Sequence, residues 1–352
     1  MTTIAELRRR ISSFPRAPLA QLPTPLHEVP RFARALGGPR IFIKRDDCTG
    51  LAFGGNKTRM FEFLLGKALE AGADTIVGGA GTQSNYCRQL AAACNALGLQ
   101  AHLVLRRIRG PQDDAMQGNL LLMLLGGAHV HVMNADPEKQ REAIYALADR
   151  LRREGKKVFV VRMAADEDLT SDCVSYVECF CEVHEQCEAL GIQPTHLYVS
   201  SYDSTQAGLE AGRAALGDPV SIRGIAPARW DTAPGRLIAG YADQVSRALD
   251  IPASFSAESI SNTTAYVGEG YGIPTPRAVD MIKLMARTEG IFVDPVYTSK
   301  VLAAMDDHIH KGELTAEDTV VFLHTGGTPA LFAYTEELQP EELAGFLHID
   351  DL

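Results

Sequence analysis

Residues 41–57, IFIKRDDCTGLAFGGNK, join a short apolar strand to a lysine through a double-glycine turn. A helical pattern follows from about Met60. Glycine has no side chain, so Gly54 and Gly55 let other parts of the backbone approach the turn closely. A lysine held at such a point can form a Schiff base with an aldehyde, which is a chemistry of cofactor-dependent enzymes. Lysines after Gly-Gly turns are also common on protein surfaces, so other motifs have to decide the role of Lys57.

Strand and helix patterns alternate along most of the chain, which is typical of βαβ units and of parallel sheets covered by helices on both faces. Glycines 78, 79 and 81 and glycines 326 and 327 stand at strand-to-helix turns, which places ligands at the carboxyl ends of strands and near helix N-termini. The sequence therefore predicts an α/β fold. Predicted strands are 41–44, 75–78, 101–105, 129–133, 157–162, 196–200, 220–225 and 319–323. Predicted helices are about 60–72, 84–98, 112–125, 138–153, 173–190, 205–217, 231–248, 276–288 and 298–310.

Composition narrows the class of protein. The 352 residues carry a net charge of −10, with 46% apolar and 22% charged residues, which is ordinary for a soluble globular enzyme of about two domains. The negative charge argues against nucleic acid or an anionic membrane as a partner. The polar N-terminus lacks the apolar region of a signal peptide, and no run of about 18 apolar residues predicts a membrane span.

The cysteines favour a reducing compartment. Their number, seven, is odd, so we expect a cytoplasmic protein with free thiols. Four of them, Cys173, Cys179, Cys181 and Cys187, follow a helical pattern and lack the spacing of a structural zinc site. We therefore expect these four to pack inside a helix-rich core.

Four further motifs accompany the lysine turn. They are TIVGGAGTQSNY at 75–86, STQAG at 204–208 after the strand His196–Ser200, DPVY at 294–297 and VFLHTGGT at 321–328. In this order the motifs resemble those of the pyridoxal-phosphate lyases of the D-cysteine desulfhydrase and 1-aminocyclopropane-1-carboxylate deaminase family. The resemblance extends from about Pro18 to Tyr334.

The resemblance implies a two-domain α/β fold like that of the tryptophan synthase β subunit, called fold type II among pyridoxal-phosphate enzymes. A large domain would combine residues 1–54 with 172–352, and a small domain would span 55–171. Pyridoxal 5′-phosphate would lie in the cleft between them. The family is typically dimeric, so the resemblance also implies a homodimer.

The resemblance assigns roles to residues near the cofactor. Lys57 would hold it as a Schiff base and, once released by the substrate amine, could remove the Cα proton. Asn85 would bond the phenolate oxygen of the ring, and Ser84 would face the substrate carboxylate or carry a proton; both residues also suit a helix N-cap. Tyr297 would shuttle a proton. Tyr271, in the turn 269–274, would contact the substrate, unless this segment only reverses the direction of the backbone.

Ser204 and Thr205 would bind the phosphate at a helix N-terminus. Two departures from the family pattern weaken this site. Asp203 replaces a glycine, and Met60 replaces a lysine that relatives often have. We therefore expect Asp203 to turn away from the phosphate, or another cation, Arg59 or Lys300, to approach it.

Thr298 and Thr325 separate the activities of the family. The deaminases have a glutamate and a leucine at these positions. A carboxylate at the pyridine nitrogen keeps it protonated and makes the ring the strong electron sink that opening a cyclopropane requires. Neutral hydroxyls suffice for eliminating a good leaving group from Cβ. The pair therefore favours β-elimination, with D-cysteine as substrate and hydrogen sulfide, pyruvate and ammonia as products.

Three alternatives stay open at this point. One is sulfite release from L-cysteate, which a pocket lined by Arg229 and Trp230 would favour. Another is deamination of 1-aminocyclopropane-1-carboxylate. The third is a non-catalytic binding protein on the same fold, which the departures at Asp203 and Met60 would suit.

Overall fold

The computed structural model describes residues 2–161, 168–229, 231–338, 340–344 and 346. Trp230, on which the pocket for L-cysteate partly depended, lies outside the described residues. The helices are α1 (Ile4–Ile11), α2 (Pro30–Leu36), α3 (Asn56–Glu70), α4 (Asn85–Ala96), α5 (Gly118–Leu125), α6 (Pro137–Arg153), α7 (Thr170–Leu190), α8 (Ser204–Leu216), α9 (Pro234–Ala248), α10 (Pro276–Glu289), α11 (Thr298–His310) and α12 (Pro340–Ala344). The strands are β1 (Leu26–Glu28), β2 (Arg40–Arg45), β3 (Thr75–Gly81), β4 (Gln100–Arg106), β5 (His129–Met133), β6 (Val158–Val160), β7 (His196–Ser200), β8 (Ser221–Ile225), β9 (Asn262–Thr263) and β10 (Thr319–His324).

The strands form two sheets. One has six strands in the order β1-β2-β10-β7-β8-β9 and is parallel except for the antiparallel pair β1–β2. The other has four parallel strands in the order β5-β4-β3-β6. Strands β7 and β10 are almost wholly buried, which explains their continuous apolar sequence. The predicted α/β fold with parallel sheets flanked by helices is confirmed.

The two sheets come from different parts of the chain. The strands of the four-stranded sheet all lie between Thr75 and Val160, within the range predicted for the small domain. The strands of the six-stranded sheet lie before and after that range. The domain boundaries at 54/55 and 171/172 stay a prediction.

Helix α7 carries the cluster of four cysteines through the core. Cys173, Cys179, Cys181 and Cys187 are all buried there, as the helical spacing predicted. Burial raises the pKa of the thiols of Cys179, Cys181 and Cys187, so these side chains behave as apolar packing groups. Within the described ranges, no helix has the length and apolar character that crossing a membrane requires.

Candidate active site

The turn before Lys57 has an unusual backbone. Ala52, Phe53, Gly54 and Gly55 all have positive φ angles, of 46°, 67°, 67° and 128°. A methyl group on Gly54 would overlap the carbonyl oxygen of Asp47, so only glycine fits there. Helix α3 begins at Asn56, directly after the turn. Lys57 therefore lies in the first turn of a helix whose start is fixed by this backbone.

Two other elements meet the lysine turn. The backbone N–H of Asn56 donates to the carbonyl oxygen of Thr325 at 3.0 Å, just beyond the end of β10. Its side-chain Nδ2 donates to Oγ1 of Thr205 at 3.3 Å, at the start of α8. A Cβ on Gly326 would lie only 2.6 Å from the Cα of Gly55. The structure thus brings Lys57, Thr205 and Thr325, which the sequence separates widely, into one neighbourhood.

The N-terminus of α4 adds Ser84 and Asn85. Ser84 is the N-cap residue, and its Oγ accepts from the N–H of Cys87 at 3.1 Å, so the N-cap interpretation is confirmed. The Oδ1 of Asn85 accepts from Nδ2 of Asn119 at 2.8 Å. A Cβ on Gly327 would lie 2.9 Å from Nδ2 of Asn85. The amide NH₂ of Asn85 therefore faces the glycine pair that follows β10.

A small cavity of about 20 Å³ joins several of the predicted residues. This volume is sufficient for roughly one water molecule. Ser84, Tyr271 and Tyr297, which come from three distant parts of the chain, share this cavity. Its lining is completed by Gly81, Gln83, Ile108, Arg109, Asp113, Gly272, Val296 and Tyr334.

Tyr271 and Tyr297 form a pair of phenols. Their hydroxyl groups are hydrogen-bonded to each other, and their rings are 6.1 Å apart in an edge-to-face arrangement. Burial raises the pKa of Tyr271, and burial together with the neighbouring phenol raises the pKa of Tyr297 well above its ordinary value. Both phenols are therefore protonated near neutral pH and hold their protons more tightly than an ordinary tyrosine does.

Asp294 is a buried carboxylic acid that sequence reasoning did not single out. Its Oδ1 accepts from Oγ1 and N of Thr298 at 2.6 and 2.7 Å, and its Oδ2 accepts from the N–H groups of Val296 and Tyr297 at 3.0 Å. Burial raises the pKa of Asp294. No capping pattern in the sequence reveals this role, because Asp294 lies outside the N-cap position, which Tyr297 occupies. Asp294 fixes the start of α11 and the direction of the Thr298 hydroxyl.

The predicted phosphate loop differs from expectation at Asp203. Its Oδ1 accepts from the N–H of Ser204 at 2.7 Å, so the carboxylate lies on the first donor of α8 and does not turn away. Helix N-termini attract nearby carboxylates, because their first N–H groups lack a partner within the helix.

Neither of the cations proposed to compensate for Asp203 approaches it. Arg59 is buried and bonds to Asp46 and Glu182. The Nζ of Lys300 donates to the carbonyl oxygens of Val267 and Gly270, at 2.7 and 3.4 Å. Met60, where relatives often have lysine, is fully buried in the core.

Arg109 is the cation that lines the cavity. Its Nε donates to Asp113 at 3.1 Å, and its Nη1 donates to Glu337 at 2.8 Å. The guanidinium carbon lies 3.9 Å from the ring centroid of Tyr334. No local sequence signal reveals this cluster, because Arg109 and Glu337 are 228 residues apart. Arg229, by contrast, is exposed, donates to the carbonyl oxygen of Gly268 and is absent from the cavity lining.

Arg88 and Gln89 are two further residues that sequence reasoning missed. Both lie on α4, one turn after Ser84 and Asn85, and both reach the lysine turn. Gln89 Oε1 accepts from the N–H of Thr58 at 3.0 Å, and Arg88 bonds the carbonyl oxygens of Ala52 and Gly54. The spacing of four residues from Ser84 and Asn85 is the signal that could have identified them.

The arrangement fits pyridoxal phosphate with one exception. It offers an amine at Lys57, an amide donor at Asn85, and hydroxyls at Thr298 and Thr325. The close glycine contacts described above form a cradle that side chains would fill. The first turn of α8, with Ser204 and Thr205, offers the helix N-terminus that a phosphate needs. The exception is Asp203, whose carboxylate occupies one of these donors.

Comparison with known proteins agrees with this fit. The family model "Pyridoxal-phosphate dependent enzyme" matches residues 18–326. A solved structure of an ACC deaminase homologue is 30% identical, with a TM-score of 0.85, and the match covers 96% of this chain and 99% of that one.

More distant solved structures share the fold. Diaminopropionate ammonia lyase from Escherichia coli is 15% identical, with a TM-score of 0.64 and coverage of 98% of this chain and 94% of that one. An L-serine ammonia-lyase from the fungus Rhizomucor miehei is 16% identical, with a TM-score of 0.65 and coverage of 92% and 99%. Because the family model spans most of its length, this chain belongs to the family of pyridoxal-phosphate dependent enzymes.

Proposed function

We propose that the protein is a lyase that removes the β-substituent of D-cysteine. One D-cysteine and one water give pyruvate, ammonia and hydrogen sulfide. When bound, pyridoxal phosphate supplies the electron sink that stabilises negative charge at the substrate Cα. We further propose that the enzyme acts in the cytoplasm as a homodimer on a small amino acid.

The size and charge of the cavity carry this proposal. The cavity next to Ser84 and Tyr297, of about 20 Å³, leaves no room for a bulky side chain. The cation that lines it, Arg109, is already paired with Asp113 and Glu337. A sulfonate would have to compete with these two carboxylates for one guanidinium. The site therefore favours a small, uncharged leaving group over the sulfonate of L-cysteate.

The proposed proton transfers use the amine and the phenols. Lys57 takes the Cα proton, because the raised pKa values of Tyr271 and Tyr297 make phenolate bases scarce near neutral pH. Tyr297 donates a proton to the sulfur as the C–S bond breaks, and the hydrogen bond between the two phenols holds its hydroxyl group in place. Ser84 holds the substrate carboxylate.

The remaining site residues bind the cofactor in this proposal. Asn85 would donate to its ring oxygen, and Ser204 and Thr205 would bind its phosphate. Thr298 and Thr325 would lie beside the ring nitrogen. The hydroxyl of Thr298 donates to Asp294, so the carboxylate acts on the ring only through the threonine.

A second candidate is deamination of 1-aminocyclopropane-1-carboxylate. The similarity to the 30%-identical structure of an ACC deaminase homologue favours it. The threonine at position 298, where a glutamate would be needed beside the ring, argues against it. The non-catalytic alternative is favoured by Asp203, which lies where phosphate should bind.

Product analysis separates these functions. Purified protein saturated with pyridoxal phosphate is given D-cysteine, L-cysteine, L-cysteate or 1-aminocyclopropane-1-carboxylate, and sulfide, sulfite, pyruvate and 2-oxobutyrate are measured. We expect sulfide and pyruvate in equal amounts from D-cysteine, with the highest kcat/KM of the four. Higher kcat/KM for sulfite or 2-oxobutyrate formation would favour the corresponding alternative.

The lysine is tested in parallel. Lys57→Ala is compared with Lys67→Ala, which changes an exposed lysine on the same helix. We expect borohydride to fix the cofactor on Lys57 of the wild type and of Lys67→Ala, and Lys57→Ala to lose both the fixation and the activity. Binding of cofactor without turnover of any tested substrate would favour the non-catalytic alternative.

A further inference from the structure

Arg88 is a buried arginine close to the proposed active-site lysine. Only 1% of its surface is exposed. No Asp or Glu among the described residues forms a salt bridge with it, in contrast to the buried Arg59, which has two carboxylate partners. Burial without a counter-charge lowers the pKa of Arg88 to about 10. An unpaired buried cation is costly for folding, so its presence calls for a compensating role.

The hydrogen bonds of Arg88 all go to one short piece of backbone. Its Nη1 donates to the carbonyl oxygens of Ala52 and Gly54, and its Nη2 donates to the same oxygen of Gly54, at 3.2 Å. These carbonyl groups belong to the turn 52–55, in which four successive residues have positive φ angles.

This turn is strained. Left-handed backbone at a non-glycine residue costs on the order of 1–3 kcal/mol, and both Ala52 and Phe53 adopt it. The side chain of Phe53 is 66% exposed, so burial of its ring does not compensate for the strain. The contacts of Arg88 with the two carbonyl groups are therefore a direct source of compensation.

The turn determines the position of Lys57. Gly55 N–H donates to Asp46 O at 2.9 Å, Asn56 N–H donates to Thr325 O at 3.0 Å, and α3 starts at Asn56. Lys57 follows at once, so a shift of the turn moves its Cα and the reach of its amine. Misplacement of a catalytic group by about 1 Å can cost about 100-fold in rate.

We propose that Arg88 is a positioning residue for Lys57, which it serves by holding the left-handed turn 52–55 through the carbonyl oxygens of Ala52 and Gly54. The role given to Lys57 in this inference rests on the proposed function. The contact between Arg88 and the turn does not depend on that function. A guanidinium suits the task because its fixed planar fork donates to two carbonyl groups at once, which a lysine cannot do in the same geometry.

The test uses four variants of the full chain. Arg88→Met removes the charge and the donors, Arg88→Lys keeps the charge, and Arg88→Ala leaves space for added methylguanidinium. Lys283→Met is the matched control, because Lys283 is also a buried cation but lies on α10 and bonds to Glu342 and not to the turn.

Two properties are measured without denaturant, under conditions in which each variant is folded. The first is amide hydrogen exchange of a peptide that covers Gly54, Gly55 and Asn56, measured by mass spectrometry without added cofactor. The second is the rate at which pyridoxal phosphate becomes fixed to Lys57 on borohydride reduction, with the cofactor dissociation constant measured alongside.

We expect Arg88→Met to exchange amide hydrogens faster than the wild type, with the largest increase at the turn. We also expect it to fix cofactor about 10- to 100-fold more slowly than the wild type. Arg88→Lys should recover part of this loss, and methylguanidinium should restore fixation in Arg88→Ala. Lys283→Met should keep wild-type exchange at the turn and a wild-type rate of fixation.

The proposal would be overturned if the turn of Arg88→Met exchanged its amide hydrogens at the wild-type rate. It would also be overturned if that variant fixed cofactor at the wild-type rate. Absence of rescue by methylguanidinium in a folded Arg88→Ala would also count against it. If the wild type itself fixes no cofactor on Lys57, the proposed function fails, and the exchange measurement still decides whether Arg88 holds the turn.

Discussion

The carboxylate of Asp203 bonds the N–H of Ser204, at the helix end where the phosphate of the cofactor is proposed to bind. A phosphate that arrives there meets a like charge and has to displace this cap. The repulsion between two unit charges at contact distance near a protein surface is several kcal/mol before solvent and salt reduce it. Asp203 should therefore weaken cofactor binding.

Replacing this carboxylate tests that expectation. Asp203→Ser keeps an N-cap side chain but removes the charge, so we expect the dissociation constant of pyridoxal phosphate to fall about tenfold at low ionic strength. Fluorescence titration measures it. The matched control is Asp136→Ser, which changes the N-cap of α6 and should leave the constant unchanged. Weaker binding by Asp203→Ser would show that the carboxylate supports the site.

Lys300 provides a second prediction at the scale of one residue. It is buried, and burial lowers its pKa from 10.5 to about 8. The folded protein therefore binds fewer protons than the unfolded chain between these pH values. The resulting destabilisation is fully present below pH 8 and disappears as the pH rises to 10.5.

We expect the stability of the wild type to rise across this window relative to Lys300→Met, by up to about 3 kcal/mol. Chemical denaturation on both sides of the window measures the difference. Lys311→Met, which changes an exposed lysine on the boundary of the same helix, is the control and should follow the wild type. A constant difference between wild type and Lys300→Met at all pH values would contradict the assignment.

At the scale of elements, α3 serves two purposes. Its first turn carries Lys57, and the next residues anchor it in the core. Arg59 bonds Asp46, next to β2, and Glu182 on α7, and it is 1% exposed. Removing one member of a buried ion-pair network leaves a charge uncompensated, which costs about 3–5 kcal/mol.

Arg59→Met should therefore lower the free energy of unfolding by about 3–5 kcal/mol. Arg8→Met is the comparison, because Arg8 pairs with Glu185 on the surface, where the two side chains are 43% and 40% exposed. An exposed pair contributes at most about 1 kcal/mol. Urea denaturation at neutral pH measures both variants. Equal losses in the two would show that burial of the Arg59 network adds nothing.

The strands and helices also show which secondary-structure elements a sequence pattern can predict. Strands such as β7 and β10 were predicted well, because burial on both faces makes the middle of each strand continuously apolar. The two-residue β9 and three-residue β1 were missed, since they are too short for a periodic pattern. Helix α3 was predicted to begin near residue 60 but begins at Asn56, because contacts with Thr325 and Gln89 fix its start.

In the candidate site, too, some residues can be predicted from the sequence and others cannot. Lys57, Ser84 and Tyr297 stand in recognisable motifs, and the structure places Ser84 and Tyr297 on one cavity. The groups that surround them, such as Arg109 with Glu337, come from distant segments without a motif of their own. Their placement depends on how the chain folds, which no local pattern encodes.

At the scale of the molecule, the homodimer is still a prediction, and the surface indicates where it would form. Leu125 is 74% exposed at the end of α5, and Phe332 is 68% exposed in the 3₁₀ turn Thr328–Ala333, which adjoins α5. Met116, just before α5, is 71% exposed. Exposed apolar side chains of this kind suit a surface that another protein covers, and a two-fold dimer would cover them on both copies.

Charged residues at these exposed apolar positions should separate the two copies of the chain in a dimer. We expect the variant with Leu125→Glu and Phe332→Glu to sediment as a monomer at micromolar concentration, where the wild type sediments as a dimer, because each dimer would bury four new carboxylates without partners. Leu190→Glu is the control: Leu190 is 50% exposed at the end of α7, and its replacement should leave the dimer intact. A dimeric double variant would exclude this face as the interface, and a monomeric wild type would exclude the dimer itself. Since α5 also carries Asn119, which bonds Asn85 in the candidate site, loss of the dimer should also weaken cofactor binding.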